Sequence, residues 1–383
     1  SGPLHLNACL AEPDTASLPA LRASAAGLKG AGFPPPAAAP LRISASLCAR
    51  RLVMAGELLD SEIPAAKEIV TGSGGLLDAE ASSGLREEAE LKPLLLRCGE
   101  ATLRHLPIQH VLRLGGVPSA RYWRDLENLP AIHVTHHSRS GYPGLARKEN
   151  VTALRDSDES PQASSLPIDD FFARDATLAK HLDALLAAHP NSEPGLIRLL
   201  SERIPARATV FTGNSLAVRE WNLCAAWGRG HRVHVLRGAN GIDGNLSAFL
   251  GIAADKPESW CLAGDLTALY DLSAPWMLPQ LSAGRRRFVV IQNGGGKIFS
   301  RLPSLRGLND HERSLMENPH QISLKPWAKM WGMDHVSGSA ELLEDSAALE
   351  SLSDHAVIEL HPDPVETERF WKAWREAEEE VWA

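Results

Sequence analysis

The fold is decided by two short apolar runs that each end in a polar turn, SWCLAGDL at 259–266 and RFVVIQNGGG at 287–296. Such runs, closed by glycine or a polar side chain, are typical of buried parallel strands. The segment between them has room for one crossover helix. The carboxyl ends of the two strands are therefore expected to lie side by side on one parallel sheet.

The same alternation of apolar runs and helix-length segments continues on both sides of this pair. Further strands are predicted at 209–213 and 232–236. Helices are predicted at 168–188, 193–203, 216–227, 244–254 and 267–281. Similar apolar runs occur nearer the N-terminus, at 52–56, 75–78, 110–115 and 131–134. The pattern predicts an α/β protein with two doubly wound domains, each built on a parallel sheet.

Changes in composition suggest where these domains begin and end. Residues 15–48 are rich in alanine and proline, which disfavours regular structure, so we interpret them as a linker. Residues 49–137 are predicted to form a central α/β domain and residues 191–383 a second one. Between them, residues 138–190 are interpreted as a polar connector followed by a helix.

Composition and charge exclude several classes of protein. The formal net charge of −8 repels polyanions, which argues against a nucleic-acid partner. No apolar run approaches the roughly 20 residues that span a bilayer, and no secretory leader pattern is present. The five cysteines are scattered without a C-x-x-C pair, which fits a reducing compartment. We expect a cytoplasmic protein without a membrane span.

The two polar turns carry oxygen atoms suited to a divalent cation. Asp265 offers a carboxylate, Asn293 offers an amide oxygen, and the glycines at 294–296 let a backbone carbonyl come close. Three such oxygens suit Mg²⁺ bound to a diphosphate. The alternative, that Asp265 and Asn293 only cap helices and turns, stays open on spacing alone. The run GGGK at 294–297 is not a P-loop, because Ile291 stands where the first glycine is required.

Four blocks in a fixed order resemble one known family. They are GNSLAVR at 213–219, RGANGIDG at 237–244, GDLTALYDL at 264–272 and NGGGKIF at 293–299. They resemble the thiamine-diphosphate enzymes and, within them, the 2-succinyl-5-enolpyruvyl-6-hydroxy-3-cyclohexene-1-carboxylate synthase (MenD) family of menaquinone biosynthesis. The third and fourth blocks are general for thiamine-diphosphate enzymes, whereas the first two are more specific.

The resemblance implies a cofactor and a metal site. Thiamine diphosphate and Mg²⁺ (or Mn²⁺) are the expected cofactors. The metal ligands would be Asp265, Asn293 and the carbonyl of Gly295, and the cofactor contacts would be Asn240, Ile242, Gly264 and Leu266. Ile242 would be the apolar wedge that keeps the cofactor bent, and the alternative is an ordinary core isoleucine. Asn240 departs from the serine common in relatives, which leaves the diphosphate contacts open in detail.

The resemblance also implies substrate contacts. Ser215, Arg219 and Arg237 would receive substrate carboxylates, which a guanidinium binds through two parallel hydrogen bonds. Arg121 would add a basic contact from the central domain. An apolar wall around the reactive carbon would consist of Ile298, Phe299 and Leu302. The alternatives are solvated surface arginines and ordinary core packing.

The implied reaction is thiamine-diphosphate and Mg²⁺ dependent decarboxylation of 2-oxoglutarate, followed by addition of the succinyl carbanion equivalent to isochorismate. Residues 1–14 resemble the tail of the family's N-terminal pyrimidine-binding domain, which supplies an activating glutamate. We therefore expect this chain alone to be incomplete, to need such a domain from another chain or from a removed N-terminal region, and to form a homo-oligomer. The alternatives are a non-catalytic or partner-dependent diphosphate-domain subunit and another thiamine-diphosphate carboligase.

Overall fold

Short apolar segments form two sheets, and all described strand pairs are parallel. The computed structural model describes residues 51–73, 75–138, 141–153, 168–238, 240–301, 305 and 307–383. These residues fall within one compact unit that spans 42–383. The predicted tail at 1–14 and linker at 15–48 lie outside the described residues. The prediction of an α/β fold with two parallel doubly wound sheets is confirmed.

The first sheet is built from the N-terminal apolar runs. Its strands are β1 (Arg51–Ala55), β2 (Leu76–Ala79), β3 (His110–Leu114), β4 (His133–His137) and β5 (Val151–Ala153). Their order in the sheet is β2-β1-β3-β4-β5. The edge strand β5 lies in the segment interpreted as a connector, and its three residues are too few to show a periodic pattern.

The second sheet contains both runs that decide the fold. Its strands are β6 (Thr209–Thr212), β7 (Arg232–Val235), β8 (Glu258–Gly264), β9 (Arg285–Ile291), β10 (Asp334–Gly338) and β11 (His355–Leu360). Their order is β10-β11-β9-β8-β6-β7. In the register of β8 and β9, Gly264 lies opposite Ile291. The turns that follow these two strands therefore begin side by side.

Helices connect the strands of both sheets. They are α1 (Ile63–Ser73), α2 (Gly99–Leu103), α3 (Arg121–Asp125), α4 (Ile168–Ala188), α5 (Glu193–Arg203), α6 (Leu216–Cys224), α7 (Asn245–Ile252), α8 (Asp265–Leu269), α9 (Asp310–Glu317), α10 (Lys325–Met330), α11 (Ala340–Glu344), α12 (Ser346–Glu350) and α13 (Pro364–Trp382). Short 3-10 segments occur at Ala81–Ser83, Leu85–Glu87, Ala89–Leu94, Leu126–Asn128, Ala274–Gln280 and Phe299–Arg301. Among the helices described, none has the length and apolar character needed to cross a bilayer.

Most predicted helices are present, but one prediction is wrong. Helices α4 and α5 have the predicted bounds. The single helix expected at 267–281 is replaced by the short α8 and the 3-10 segment at Ala274–Gln280. The physical reason is that Pro275 and Pro279 have no N–H to donate and their rings obstruct a regular α-helix.

Alternate residues of the central strands in the second sheet point to two separate apolar clusters. Leu262 and Val289 pack with Trp221 on one face of the sheet. Cys261 and Phe288 lie in the cluster on the other face. Burial on both faces explains why these strands are continuous apolar runs rather than alternating patterns.

Candidate functional site

The carboxyl ends of β6, β8 and β9 bring three of the predicted segments together. β6 pairs with β7 on one side and with β8 on the other, so the chain order reverses between β6 and β8. In open parallel sheets, ligands bind in the crevice at such a reversal. Residues 213–215 follow β6, Asp265 follows β8, and residues 293–295 follow β9. This crevice is the candidate functional site.

Asp265 is held rigidly between the two neighbouring turns. Its Oδ2 accepts hydrogen bonds from the backbone N–H groups of Gly294 (2.7 Å) and Gly295 (3.0 Å). Its Oδ1 accepts one from the N–H of Leu266 at 2.6 Å. The residue is 1% exposed. The expectation that the ends of β8 and β9 lie side by side is thus confirmed, and the carboxylate retains lone pairs for a cation.

Asn293 presents an amide oxygen that has no partner among the described residues. Its Nδ2 donates to both carboxylate oxygens of Glu193, at 3.2 Å each. Its Oδ1 is buried and accepts no hydrogen bond from any residue that the structure describes. An unsatisfied buried acceptor costs about 1–3 kcal/mol. A bound cation would remove this cost.

Gly295 occupies a backbone position that requires glycine. Its φ is +134°, and a Cβ there would lie 2.5 Å from the carbonyl oxygen of Glu317. Its own carbonyl accepts a hydrogen bond from the N–H of Lys297 at 2.8 Å and keeps a second lone pair. Together, Asp265, Asn293 and Gly295 supply carboxylate, amide and carbonyl oxygens, the hard donors that Mg²⁺ prefers. These residues fit the expected metal.

Beneath Asn293 lies a buried cluster of charged residues that the sequence analysis missed. The Arg301 guanidinium lies 3.5 Å from Glu193 and also hydrogen-bonds Glu220. It stacks over the ring of Trp371, 4.4 Å from the centroid. Burial raises the pKa of both glutamates, and that of Glu220 to about 8. Burial alone would lower the pKa of Arg301, but the two glutamates raise it above its usual value.

The turn after β6 holds a strained serine. Ser215 has φ +74° and ψ −127°, a region that non-glycine residues rarely occupy. The preceding Asn214 is buried, and its Nδ2 donates to the carbonyl of Gly241 at 2.7 Å. Its backbone N–H donates to Oδ1 of Asn245 at 3.0 Å. Such strain persists only where the surrounding contacts impose it, and it is common at functional sites.

Ser215, Arg219 and Arg237 are brought together around this turn. Nη1 of Arg219 donates to the carbonyl oxygen of Ser215 at 2.5 Å. Nη1 of Arg237 donates to Oδ1 of Asn214 at 3.2 Å. Burial and the nearby Arg237 lower the pKa of Arg219, and burial also lowers that of Arg237. Two partly desolvated guanidinium groups of like charge favour an anionic ligand between them.

Arg121 and Asn240 lie with Arg237 around one cavity. The cavity has a volume of about 380 Å³ and is also lined by Arg124 and Trp123. Arg121 is exposed, and its Nε lies 2.7 Å from Oδ1 of Asp125. A ligand in this cavity would compete with Asp125 for Arg121. The structure thus places Arg121 near Arg237, on the side of the cavity that belongs to the first sheet.

The apolar residues expected around the cofactor lie outside the main core. Ile242, Ile298 and Phe299 are half-buried, and none belongs to the three apolar clusters formed by the described residues. Gly264 ends β8, and the half-buried Leu266 is in the first turn of α8. Leu302 lies outside the described residues. This placement weakens the alternative of ordinary core packing for Ile242, Ile298 and Phe299.

Sequence reasoning had no signal for some neighbours of the site. Glu193 follows the helix cap Ser192 and resembles any acidic residue at a helix start. Glu220 and Arg301 meet across 81 positions of sequence. His320 lies 3.4 Å from Oδ2 of Asp265. These contacts depend on tertiary packing. Glu220 alone had a sequence signal, because it lies four residues before Cys224 on α6 and this helical spacing suggests an inward-facing acid.

Comparison with known proteins gives a consistent set of relatives. No protein-family model matches the chain. The chain is 37% identical to 2-succinyl-5-enolpyruvyl-6-hydroxy-3-cyclohexene-1-carboxylate synthase of Akkermansia muciniphila, over 97% of this chain and 70% of that protein. The same enzyme of Bdellovibrio bacteriovorus is 36% identical over 84% of this chain and 61% of its own length. That of a Synechococcus species is 32% identical over 82% and 58%, respectively. The chain thus spans less than two thirds of the second and third relatives.

Proposed function

The chain belongs to the 2-succinyl-5-enolpyruvyl-6-hydroxy-3-cyclohexene-1-carboxylate synthase family, and on this premise we propose that it binds thiamine diphosphate through a divalent cation, Mg²⁺ or Mn²⁺. Asp265, Asn293 and the carbonyl of Gly295 hold the metal in this proposal. The observation that supports it best is the buried Oδ1 of Asn293, which has no partner within the described part of the chain, while the next residue, Gly294, donates its N–H to the carboxylate of Asp265.

The remaining site residues bind and shield the cofactor. Gly264, Leu266 and Asn240 border the crevice on the diphosphate side, and Ile242 supports the cofactor's apolar face. When bound, thiamine diphosphate supplies an electron sink for the loss of carbon dioxide from a 2-oxo acid. Ile298 and Phe299, with Leu302 outside the described residues, exclude water from the reacting carbon, where low polarity strengthens each electrostatic contact.

The proposed reaction joins 2-oxoglutarate, after decarboxylation, to isochorismate. Both substrates carry carboxylates. Arg219 and Arg237, with Ser215 between them in the turn, bind these groups, and Arg121 contacts them from across the cavity. The lowered pKa values of the two half-buried arginines mark the cost of desolvating them, which a bound carboxylate offsets.

We further propose that a pyrimidine-binding domain completes the catalytic unit. The family resemblance assigns to that domain the glutamate that activates the cofactor. The domain comes from another chain or from a removed N-terminal region, and the assembly is a homo-oligomer in the cytoplasm. Metal binding by Asp265, Asn293 and Gly295 does not require that domain, because all three residues belong to this chain.

The direct test is the substitution Asp265→Ala. Loss of a metal ligand should exceed the about 10- to 100-fold effect on metal affinity that is typical of outer-shell changes. We expect titration calorimetry with thiamine diphosphate and excess Mg²⁺ to detect no binding. The matched control is Asp255→Ala, at an exposed aspartate beside Lys256. Unchanged binding by the Asp265→Ala variant would contradict the metal assignment.

A further inference from the structure

The candidate metal ligand Asn293 has an ambiguity that Asp265 and Gly295 do not share. Its amide carries an oxygen at one corner and an NH₂ group at the other, so rotation by half a turn would exchange acceptor for donor. A divalent cation can bind the oxygen but is repelled by the NH₂ group. Metal binding at this position therefore requires a group that fixes the orientation of the amide.

We propose that Glu193 is a positioning residue that orients the Asn293 amide, so that its NH₂ group faces the glutamate and its oxygen faces the metal. This inference rests on the metal site of the proposed function. Both carboxylate oxygens of Glu193 accept from Nδ2 of Asn293 at 3.2 Å. A carboxylate has acceptors only, so it selects the NH₂ end of the amide. On the other side of the amide, Oδ1 is left without a partner among the residues that the structure describes.

Glu193 is itself held in place by three elements. Its backbone N–H donates to Oγ1 of Thr367 on α13 at 3.0 Å. It is the first residue of α5, whose start is fixed by the cap Ser192. Its Oε2 lies 3.5 Å from Arg301, which supplies the compensating positive charge. With 3% exposure, Glu193 has little freedom to turn away from Asn293. Outer-shell partners with this degree of constraint tune metal affinity.

The alternative is that Glu193 only completes a buried ion pair with Arg301. That role would affect stability but would not depend on which atom of Asn293 faces the crevice. One experiment separates the two roles. If Glu193 orients residue 293, metal binding can be restored by reversing the direction of the hydrogen bond between positions 193 and 293. The combined substitution Glu193→Gln with Asn293→Asp does this, because the introduced amide donates to the introduced carboxylate. The net charge of the pair is unchanged.

The experiment measures Mn²⁺ binding to the wild type, the two single variants and the double variant of the whole chain in the presence of thiamine diphosphate, by the electron paramagnetic resonance signal of free Mn²⁺. Relative to the wild type, Glu193→Gln should weaken Mn²⁺ binding about 10- to 100-fold, because the new side chain can donate to Oδ1 and compete with the metal. Asn293→Asp alone should also bind Mn²⁺ more weakly than the wild type. A carboxylate is a stronger metal ligand than an amide, but the new carboxylate faces the carboxylate of Glu193. The double variant should bind more tightly than either single variant.

The matched control is Glu359→Gln, at a buried glutamate on β11 outside this cluster. Glu359 hydrogen-bonds His335 and the N–H of Leu324, and no contact between it and Glu193 or Asn293 is described. This variant should bind Mn²⁺ within about twofold of the wild type. Thermal unfolding without metal checks that each variant is folded.

The outcomes separate the two claims. If the wild type binds Mn²⁺ and folded Glu193→Gln binds it equally well, the positioning role is wrong while the metal site stands. If Glu193→Gln does not fold, Asn293→Asp still decides, because tighter or unchanged binding there overturns the inference. If the wild type itself fails to bind Mn²⁺ with thiamine diphosphate, the proposed metal site fails and the inference with it.

Discussion

Glu220 and Glu193 place two carboxyl groups next to one guanidinium in a buried environment. Glu220 is 1% exposed, and burial is the largest cause of its raised pKa, with the charge of Glu193 next. At neutral pH, Glu220 therefore keeps its proton. Protonation of Glu220 leaves Glu193 as the acidic partner of Arg301 in this cluster. A protonated carboxyl has nearly the shape and charge of an amide, which makes glutamine a close substitute for Glu220.

The protonated state of Glu220 predicts a dependence of stability on pH. Its pKa is about 8 in the folded chain, against 4.5 for the unperturbed group, so the folded state binds more protons between these values. The stabilising contribution is complete below the lower value and is lost as the pH rises through about 8. We expect the urea midpoint of the wild type to fall between about pH 6 and pH 9, and that of Glu220→Gln to fall less. Parallel pH profiles of the two proteins would contradict this assignment.

At the scale of single elements, the start of α5 determines where Glu193 lies. Oγ of Ser192 accepts a hydrogen bond from the N–H of Gly195 at 3.0 Å and donates to the carbonyl of His189 at 2.6 Å. A Cβ on Gly195 would lie 2.2 Å from that same carbonyl oxygen. The helix start is thus packed tightly against the preceding turn, and any shift of it moves Glu193.

The substitution Ser192→Ala tests this helix start. Loss of the cap leaves the Gly195 N–H without its acceptor, so the free energy of unfolding should fall by about 1 kcal/mol. Urea unfolding at constant pH measures the change. Ser273→Ala is the control, because Ser273 precedes a 3-10 segment without a side-chain cap bond and should change stability by less than about 0.5 kcal/mol. Equal losses in both variants would exclude a specific capping role.

The strands of the second sheet could be predicted from sequence because both of their faces are buried. Val289 and Phe288 pack into the apolar clusters on opposite faces of the sheet, so the run has no polar interruption that could suggest another structure. Likewise, Asp265 was recognisable because it follows such a run directly. The prediction of one helix over 267–281 is wrong. The apolar content of this segment suggests a helix, but Pro275 and Pro279 obstruct a regular one. Glu193 could not be predicted from sequence, because its hydrogen bond with Asn293 joins positions 100 residues apart.

At the scale of the whole molecule, hydrogen bonds tie the first sheet to the helices of the second. Oδ1 of Asn222 on α6 accepts from the N–H of Ala81 at 2.9 Å. Its Nδ2 donates to Oγ of Ser119 at 3.1 Å. Ser119 in turn donates to Oε1 of the buried Glu80, and Nη2 of Arg237 donates to the carbonyl of Pro118 at 3.2 Å. The arginines of the site are thus connected to the loops of the first sheet.

Replacement of Asn222 by alanine should loosen this connection. The N–H of Ala81 loses its acceptor, and an unpaired buried group costs about 1–3 kcal/mol. Denaturant unfolding should show a destabilisation in this range. Asn222 and Ser119 share a hydrogen bond. The double variant with both Asn222→Ala and Ser119→Ala should therefore lose less stability than the sum of the losses in the two single variants. Strict additivity would show that the bond contributes nothing in solution.

The contact between Arg301 and Trp371 has a practical consequence for protein engineering. Trp371 and Thr367 both belong to α13, which runs to Trp382. A fusion partner joined rigidly after this helix, or a deletion that shortens it, would strain the support of Glu193 instead of altering a detached tail.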